Sequence, residues 1–558
     1  MTGPDRTGPD LTGPDRTSLD RPGPDPADSD QAEHNAAATP PGPARYGPAG
    51  LAAIGFSVLA TFAVAVAGPS VMEPALPGRP GQPPWALDLH RYLPGQLTDY
   101  LTVGLTALAL AVGAAGLLVT LRAIRAGWAV SARAVLVAGL IAAVLLTLVP
   151  PFGSSDQLSY AAYGRMLVTG HNPYLTTPQQ LINLGDPVAR AVQDWRGQAS
   201  VYGPLATGIQ GLASLLGGTS ARLTVFLLDL VNLVAFAVTA VLLYRMNAGR
   251  PDRQLRAVLL WAANPLLLQV LLAGGHVDVQ LIAFCVAGVA VLYGAGEPTA
   301  VRALGAGLLI GLGFAVKVTA VLAGIGIAVA LTVLLWRQRR RLLALLGALA
   351  AGFAVPAGLA LAIGGSAMLT DTSQASDMVS IGSPWRLIRS GLQHAAGYHT
   401  ASDLVKTGAI LLAIILIIIT SLLLVHDLPR TAPEYLRLTL PLALILGWLF
   451  AWPYVLPWYD ALGWAFLALV PATSADWLLL TRTTALGFAY LPARTFGVHL
   501  PAGLGWVQPV FRNGVAPAVL AAEVIWLLLL ARSWRLARAW RLASSRRPER
   551  SWRSPRLR

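Results

Sequence analysis

The chain has 558 residues, of which 55% are hydrophobic and 12% charged, with a formal net charge of +14. Long apolar runs separated by polar gaps exclude a soluble globular domain of this size and point to an all-α polytopic membrane protein. The positive charge lies mostly in short loops between those runs and in ten arginines between Arg532 and Arg558, a positive-inside distribution that excludes nucleic acid as the partner.

Residues 1–44 repeat Thr-Gly-Pro-Asp and continue rich in Pro, Asp and Ala. Such a stretch cannot bury a core and reads as a disordered cytoplasmic tail. No apolar segment follows at signal-peptide distance. Apolar runs then recur near 47–67, 97–121, 131–150, 220–244, 255–273, 277–294, 303–317, 318–336, 342–363, 404–425, 436–453, 457–473, 477–491 and 515–532. They predict about 13–14 transmembrane helices within a domain over 45–532. A basic cytoplasmic tail, 533–558, follows and rests on anionic lipid at the inner surface. The sole cysteine, Cys285, lies in an apolar run and excludes intrachain disulfides and thiolate metal clusters.

Arginine bias sets the orientation. Arg122, Arg125 and Arg133 mark one cytoplasmic loop, Arg245, Arg250, Arg253 and Arg256 a second, and Arg337 with Arg339, Arg340 and Arg341 a third. Alternation between them closes with both termini cytoplasmic, on two conditions. The stretch 205–217, bracketed by Gly203-Pro204 and Gly217-Gly218, must be a short re-entrant or interfacial helix, and 303–336 must turn near Lys317. Three segments then fall outside: 151–204, 364–403 and 492–514. The unusual polar residues collect at that same face.

Asp156 begins a short helix on which Tyr160, Tyr163 and Leu167 share one side. As a helix-initial residue it is an N-cap; as a carboxylate at a water–lipid boundary it is a general base. Lys317 is either a point charge for a lipid phosphate or a lysine snorkelling from a helix end. His276 and Asp278 form a donor-binding pair, a metal pair or a turn hydrogen bond, with no clear third metal ligand. Asp229 and Glu523 fall within spans and read as structural contacts between helices. Tyr202-Gly203-Pro204 turns the chain back to the membrane, and Trp458 and Tyr459 belong to an aromatic belt that can also stack on a sugar. Arg386 stands in an outer loop, solvated or touching an acceptor.

Taken in order, Asp156-x-x-Ser159-Tyr160-Ala161-Ala162-x-Gly164, Gly170-x-Asn172-Pro173-Tyr174, Tyr202-Gly203-Pro204, Asn264-Pro265-Leu266, Gly275-His276-x-Asp278 and Lys317-Val318 resemble the polyprenol-phosphate-mannose-dependent α-(1→6)-mannosyltransferases of the actinobacterial envelope, in the C-type glycosyltransferase superfamily. The likeness covers roughly 130–475. It implies a polyprenyl-phosphate mannose donor, a lipid-anchored mannan acceptor and an active site on the outer face of the plasma membrane. The implied reaction is inverting and metal-independent, with no cofactor and with Asp156 as catalytic base. Lys317, and His276 with it, would stabilise the departing phosphate. Asp278, Tyr160, Asn172, Tyr174 and Tyr202 are the further expected donor or substrate contacts. The sequence departs from the pattern at Val277, where a polar Asn is expected, and this bears on donor or acceptor selectivity.

Three other classes share some of these features. A transporter or lipid flippase predicts repeated halves, which are absent from the sequence. A scaffold gives no reason to gather Asp156, His276, Asp278 and Lys317 at one face. A transferase of another lipid-linked sugar fits every residue named, and donor profiling discriminates it.

Overall fold

The computed structural model describes residues 42–74, 76, 97–294, 296–428, 435–492 and 500–545. Most of the expected N-terminal tail, part of the third outer segment and the end of the basic tail lie outside them. Among the described residues every regular element is helical. Eight helices are long and apolar enough to cross a membrane, from Gly42–Val66 to Ala502–Ser533. Four shorter apolar helices, Ala132–Thr147, Asp278–Tyr293, Ala300–Val316 and Leu436–Ala451, complete the bundle. The chain is an all-α polytopic membrane protein.

Two of the apolar runs read as spans turn out differently. The run 457–473 contains a 3-10 turn, Pro457–Tyr459, and a short helix, Asp460–Leu467, the latter buried at every position. It is apolar all round because it lies inside the protein rather than against lipid. The run 477–491 is the helix Ala475–Ala489, whose Asp476 and Arg482 are both buried. Arg482 donates to Asp460 at 2.8 Å, so the two misread runs carry each other's charge.

Close packing depends on small residues, as expected where apolar burial alone does not drive helices together. A Cβ on Gly307 would lie 2.1 Å from Leu349 O, and one on Gly352 would lie 2.1 Å from Leu304 O. These glycines let Ala300–Val316 lie flush against the long helix Arg339–Ser376.

The helix Asp156–Val168 packs in the same way. A Cβ on Gly164 would come within 2.1 Å of Gln210 O on the neighbouring helix Pro204–Gly217. Tyr160 and Tyr163 are buried, but Leu167 is 46% exposed, so the side that the three share is buried only in part. Pro204–Gly217 is about 20 Å long at 1.5 Å per residue, too short for a roughly 30 Å hydrocarbon core. Its Leu212, Leu215 and Leu216 are exposed, in keeping with a helix that does not cross.

The segment Pro251–Ala273 runs from the arginine-rich end of the bundle to the opposite end, with one break. Its first part stops at Leu260 and the chain restarts at Pro265. Asn264 bridges the break: its amide donates to Leu260 O at 3.1 Å, and its oxygen accepts from Leu266 N at 3.1 Å. This explains the Asn-Pro-Leu motif as a cap on both sides of an interruption. A π-helical turn, Leu268–Ala273, and Gly275 at φ 65° then deliver His276. π-turns of this kind recur beside functional sites.

Candidate functional site

Ala300–Val316 ends where Lys317 takes an extended backbone, φ −156° and ψ 135°. Its ammonium turns inward and donates to both oxygens of Asp278, at 2.8 and 3.0 Å. Both residues are buried. This removes the snorkelling alternative, since a snorkelling lysine keeps its charge in water. The ammonium also sits 4.2 Å from the centre of the Tyr459 ring and 5.8 Å from that of Tyr202.

Tyr202 is held there by the glycine that follows it. Gly203 N–H donates to Val316 O at 2.9 Å, and a Cβ at this position would lie 2.2 Å from Ala315 O. Only glycine allows the loop so close to the helix end. The Tyr202 hydroxyl donates to the Tyr160 hydroxyl at 3.3 Å, and the two rings meet edge to face with centroids 5.1 Å apart. Three separated motifs thus converge on the Lys317 break.

Asp156 opens its helix but does not cap it; the Ser154 hydroxyl accepts from the Asp156 N–H at 3.2 Å. The carboxylate is free for other contacts. It lies 3.6 Å from His276 Nδ1, too far for a hydrogen bond, and shares the walls of two cavities with Trp195. Burial first, and the neighbouring Asp194 second, push its pKa up to about 7, against a smaller downward pull from Lys317 and Trp195. A carboxyl in that range is a far stronger base than an ordinary aspartate.

His276 is buried and stacks on Trp458 with ring centroids 3.5 Å apart. Burial, and then the Lys317 charge, hold the imidazole well below its usual range. Burial thus favours the neutral imidazole.

Asp156 stands between two cavities. One, of about 220 Å³, is walled by Tyr160, Tyr202, Lys317, Trp448, Trp458 and Tyr459, so it is aromatic with a single cation. The other, of about 640 Å³, is more polar, with Asp194, Asp377, Arg389, Tyr398, Tyr490 and Arg512 on its walls. Trp195, Tyr454 and Trp458 line both.

Other expected residues stand apart. The Asn172 side chain accepts from Tyr174 N at 2.9 Å, and the Tyr174 hydroxyl lies 3.1 Å from that of Thr207. The Asn-Pro-Tyr motif therefore folds its own loop and ties it to Pro204–Gly217, lining neither cavity. Arg386 lies on the exposed helix Pro384–Ala396 and donates to Asn513 at 3.3 Å, while Arg389, one turn on, reaches the larger cavity. Glu523 accepts from Thr481 at 2.7 Å, and Asp229 is buried beside Gly275. Sequence reasoning missed Asp194, Trp195, Arg389, Tyr490 and Arg512, none of which belongs to a recognisable motif, whereas Tyr454 falls in the aromatic stretch 452–459 that the sequence singles out. Among the described residues no group of three His, Cys, Asp or Glu side chains is arranged to hold a metal.

Residues 50–336, about half of the chain, match the family described as Alpha-(1->6)-mannopyranosyltransferase, N-terminal domain. An alpha-(1->6)-mannopyranosyltransferase of Mycobacterium tuberculosis is 30% identical over 145 residues, 26% of this chain and 24% of that protein. A probable alpha-(1->6)-mannopyranosyltransferase of Mycolicibacterium smegmatis is 28% identical over 429 residues, 70% of this chain and 73% of that protein. The first of these matches thus spans about a quarter of the relative's length and the second nearly three quarters. No solved structure matches the chain. Asp156, Trp195, Tyr202, His276, Asp278 and Lys317 all fall within the family match, whereas Trp458 and Tyr459 lie beyond it.

Proposed function

The chain belongs to the alpha-(1->6)-mannopyranosyltransferase family, and on that premise we propose that it transfers mannose from polyprenyl-phosphate mannose to an α-(1→6)-mannan acceptor on a lipid anchor. The observation that carries this reading is the place of Asp156, on the wall shared by an aromatic, lysine-bearing cavity and a larger polar one. The aromatic cavity suits a sugar phosphate: rings stack on the sugar face, and Lys317 offers charge to the phosphate. The polar cavity suits a mannan end, with hydroxyl and guanidinium groups for its many oxygens.

In this reading an acceptor hydroxyl enters from the polar side and attacks C1 of the donor mannose. Asp156 takes the hydroxyl proton as the new C–O bond forms. The bond from C1 to the phosphate oxygen breaks on the opposite face, and polyprenyl phosphate leaves with that electron pair. Attack opposite the leaving group inverts C1, so a β-linked donor gives an α-mannoside. Lys317, held by Asp278, stabilises the charge that gathers on the phosphate. Neutral His276, braced by Trp458, lies beside the Asp156 carboxylate without neutralising it. No metal or cofactor takes part in this scheme. The site faces outward, in keeping with the arginines at the other end of the bundle and with both termini inside.

The test is transfer of labelled mannose from polyprenyl-phosphate mannose to an α-(1→6)-mannoside acceptor in membranes containing this chain, with the anomeric configuration of the product determined. An α-linked product supports the reading. Transfer of a different prenyl-linked sugar in place of mannose would keep the site chemistry and replace the donor; a β-linked product would rule out inversion.

A further inference from the structure

The larger cavity draws on all three outer segments: Asp194 comes from 151–204, Asp377 and Arg389 from 364–403, and Arg512 from 492–514. Its volume, about 640 Å³, falls within the usual range of small-ligand pockets, roughly 300–1,000 Å³. Its charged walls are not alike. The Asp377 carboxylate is taken by Lys406 at 2.5 Å, and the Arg389 guanidinium lies 5.4 Å from the centre of the Tyr398 ring. Asp194 and Arg512 differ from these. Among the described residues neither enters an ion pair, with the other or with any third group.

Both are nevertheless held in place. The Ser155 hydroxyl donates to Asp194 Oδ2 at 2.6 Å, and the Ser159 hydroxyl donates to the Asp194 carbonyl at 3.4 Å. Trp195 follows at φ 62°, and the Arg196 carbonyl pins the far side of the turn by accepting from Gln179 N at 2.7 Å. Asp194 is thereby tied to the chain on either side of Asp156, while its Oδ1 accepts no hydrogen bond among the described residues. Arg512 stands on a π-helical turn, Phe511–Val515, and its Nε donates to Ala489 O at 2.8 Å. That bond orients the guanidinium, whose terminal nitrogens make no hydrogen bond among the described residues.

A carboxylate and a guanidinium on the walls of one cavity, each anchored and neither neutralised, carry a desolvation cost that a ligand recovers. The combination selects the class of ligand. An anion would meet Asp156 and Asp194, and a cation would meet Arg389 and Arg512. A neutral polyol suits both walls, because each hydroxyl can donate to a carboxylate or accept from a guanidinium. We infer that Asp194 and Arg512 bind the terminal sugar ring of the acceptor, Asp194 accepting from ring hydroxyls and Arg512 donating to others. The tie between Asp194 and the start of the Asp156 helix then registers the attacking hydroxyl on the base. An α-(1→6) bond forms at the exocyclic hydroxyl, which leaves the hydroxyls on the ring itself for these two residues. The inference rests on the mannosyltransferase reading, and adds to it the residues that select the acceptor.

The test uses the full chain in detergent. It measures binding of an α-(1→6)-linked dimannoside without donor, mannose transfer to that dimannoside, and thermal unfolding. Asp194→Asn keeps an oxygen for Ser155 and removes the charge; Arg512→Lys keeps the charge and removes the planar fork. Each is expected to weaken dimannoside binding and raise the acceptor KM about tenfold, with donor KM and unfolding temperature unchanged. On the wild type, dimannosides deoxygenated at one ring position at a time are expected to show the same loss wherever the missing hydroxyl is one that these residues hold. That analogue should then cost the corresponding variant little more. Wild-type acceptor affinity and KM in either variant would overturn the proposal. So would an absence of saturable dimannoside binding, or deoxygenated acceptors that all bind as well as the parent. The two levels separate: dimannoside held through Asp194 and Arg512 but never mannosylated would remove the transfer reading and leave the site, whereas transfer indifferent to both substitutions would remove the site and leave the transfer reading.

Discussion

The two ends of the helix bundle hold similar charges in opposite ways. At the arginine-rich end, Asp476 accepts from Arg256 at 2.6 Å and from Arg125 at 2.9 Å, and Arg256 also donates to Leu467 O and Val470 O. Carbonyls and carboxylate close around its two terminal nitrogens, though its Nε has no hydrogen-bond partner, with Asn247 reaching Ala468 O nearby. At the other end Lys317 and Asp278 pair, but Asp156 faces space, and His276 Nδ1 has no hydrogen-bond partner. Buried polar atoms left unpaired carry a cost, and they persist where a substrate or a proton is expected to meet them. The first end spends its charge on holding helices together; the second keeps part of its charge unspent.

The contrast breaks at once if Asp156→Asn retains transfer. Removal of a general base is expected to slow transfer by about 10³-fold, with the protein still folded, as measured by labelled mannose uptake beside thermal unfolding. Asp476→Ala tests the other end. Leaving buried arginine without its partner is expected to cost about 3 kcal/mol of stability, while the folded fraction transfers mannose at the wild-type rate. Appreciable loss of specific activity there would dissolve the distinction between the ends.

The Lys317–Asp278 pair sharpens it. Lys317→Met alone strands a buried carboxylate and is expected to be strongly destabilising. Adding Asp278→Asn is expected to restore stability to within about 1 kcal/mol of the wild type, yet transfer should stay down about 100-fold because the phosphate has lost its cation. Recovery of both together would make the pair purely structural. The smallest effect is that of pH. Since the Asp156 pKa is raised to about 7, the base is ionised above that pH and protonated below it. Turnover at limiting substrate is then expected to fall about tenfold from pH 8 to pH 6, whereas a rate that rose on acidification would identify a protonated group as the essential one.

Much of this was legible in the sequence because it is local. Hydropathy located the spans, the Gly-Pro and Gly-Gly brackets marked the short helix Pro204–Gly217, and the break at Lys317 was visible as a lysine inside an apolar run. The runs 457–473 and 477–491 misled because hydropathy cannot tell a lipid-facing helix from one enclosed by protein. Trp195 was invisible for a different reason: its φ is positive, 62°, and its two neighbours are tied to Ser155, Ser159 and Gln179, contacts that nothing in the adjacent sequence announces. Tyr490, Arg389 and Arg512 reach the cavities from distant segments. Asn172 and Tyr174 show the converse, a clear motif whose contacts lie within its own loop.

The Lys317–Asp278 contact also bears on how such a chain enters a bilayer. Synthesis runs from the N-terminus, so the Asp278 helix and the Lys317 break are made before Trp448, Trp458 and Tyr459, the rings that later enclose them. A lone ammonium or carboxylate at that depth is costly to insert. Paired through both carboxylate oxygens, the two enter as a neutral couple. The pair that, on the proposed reading, meets a phosphate thus also keeps two charges harmlessly together until its aromatic shelter has been made.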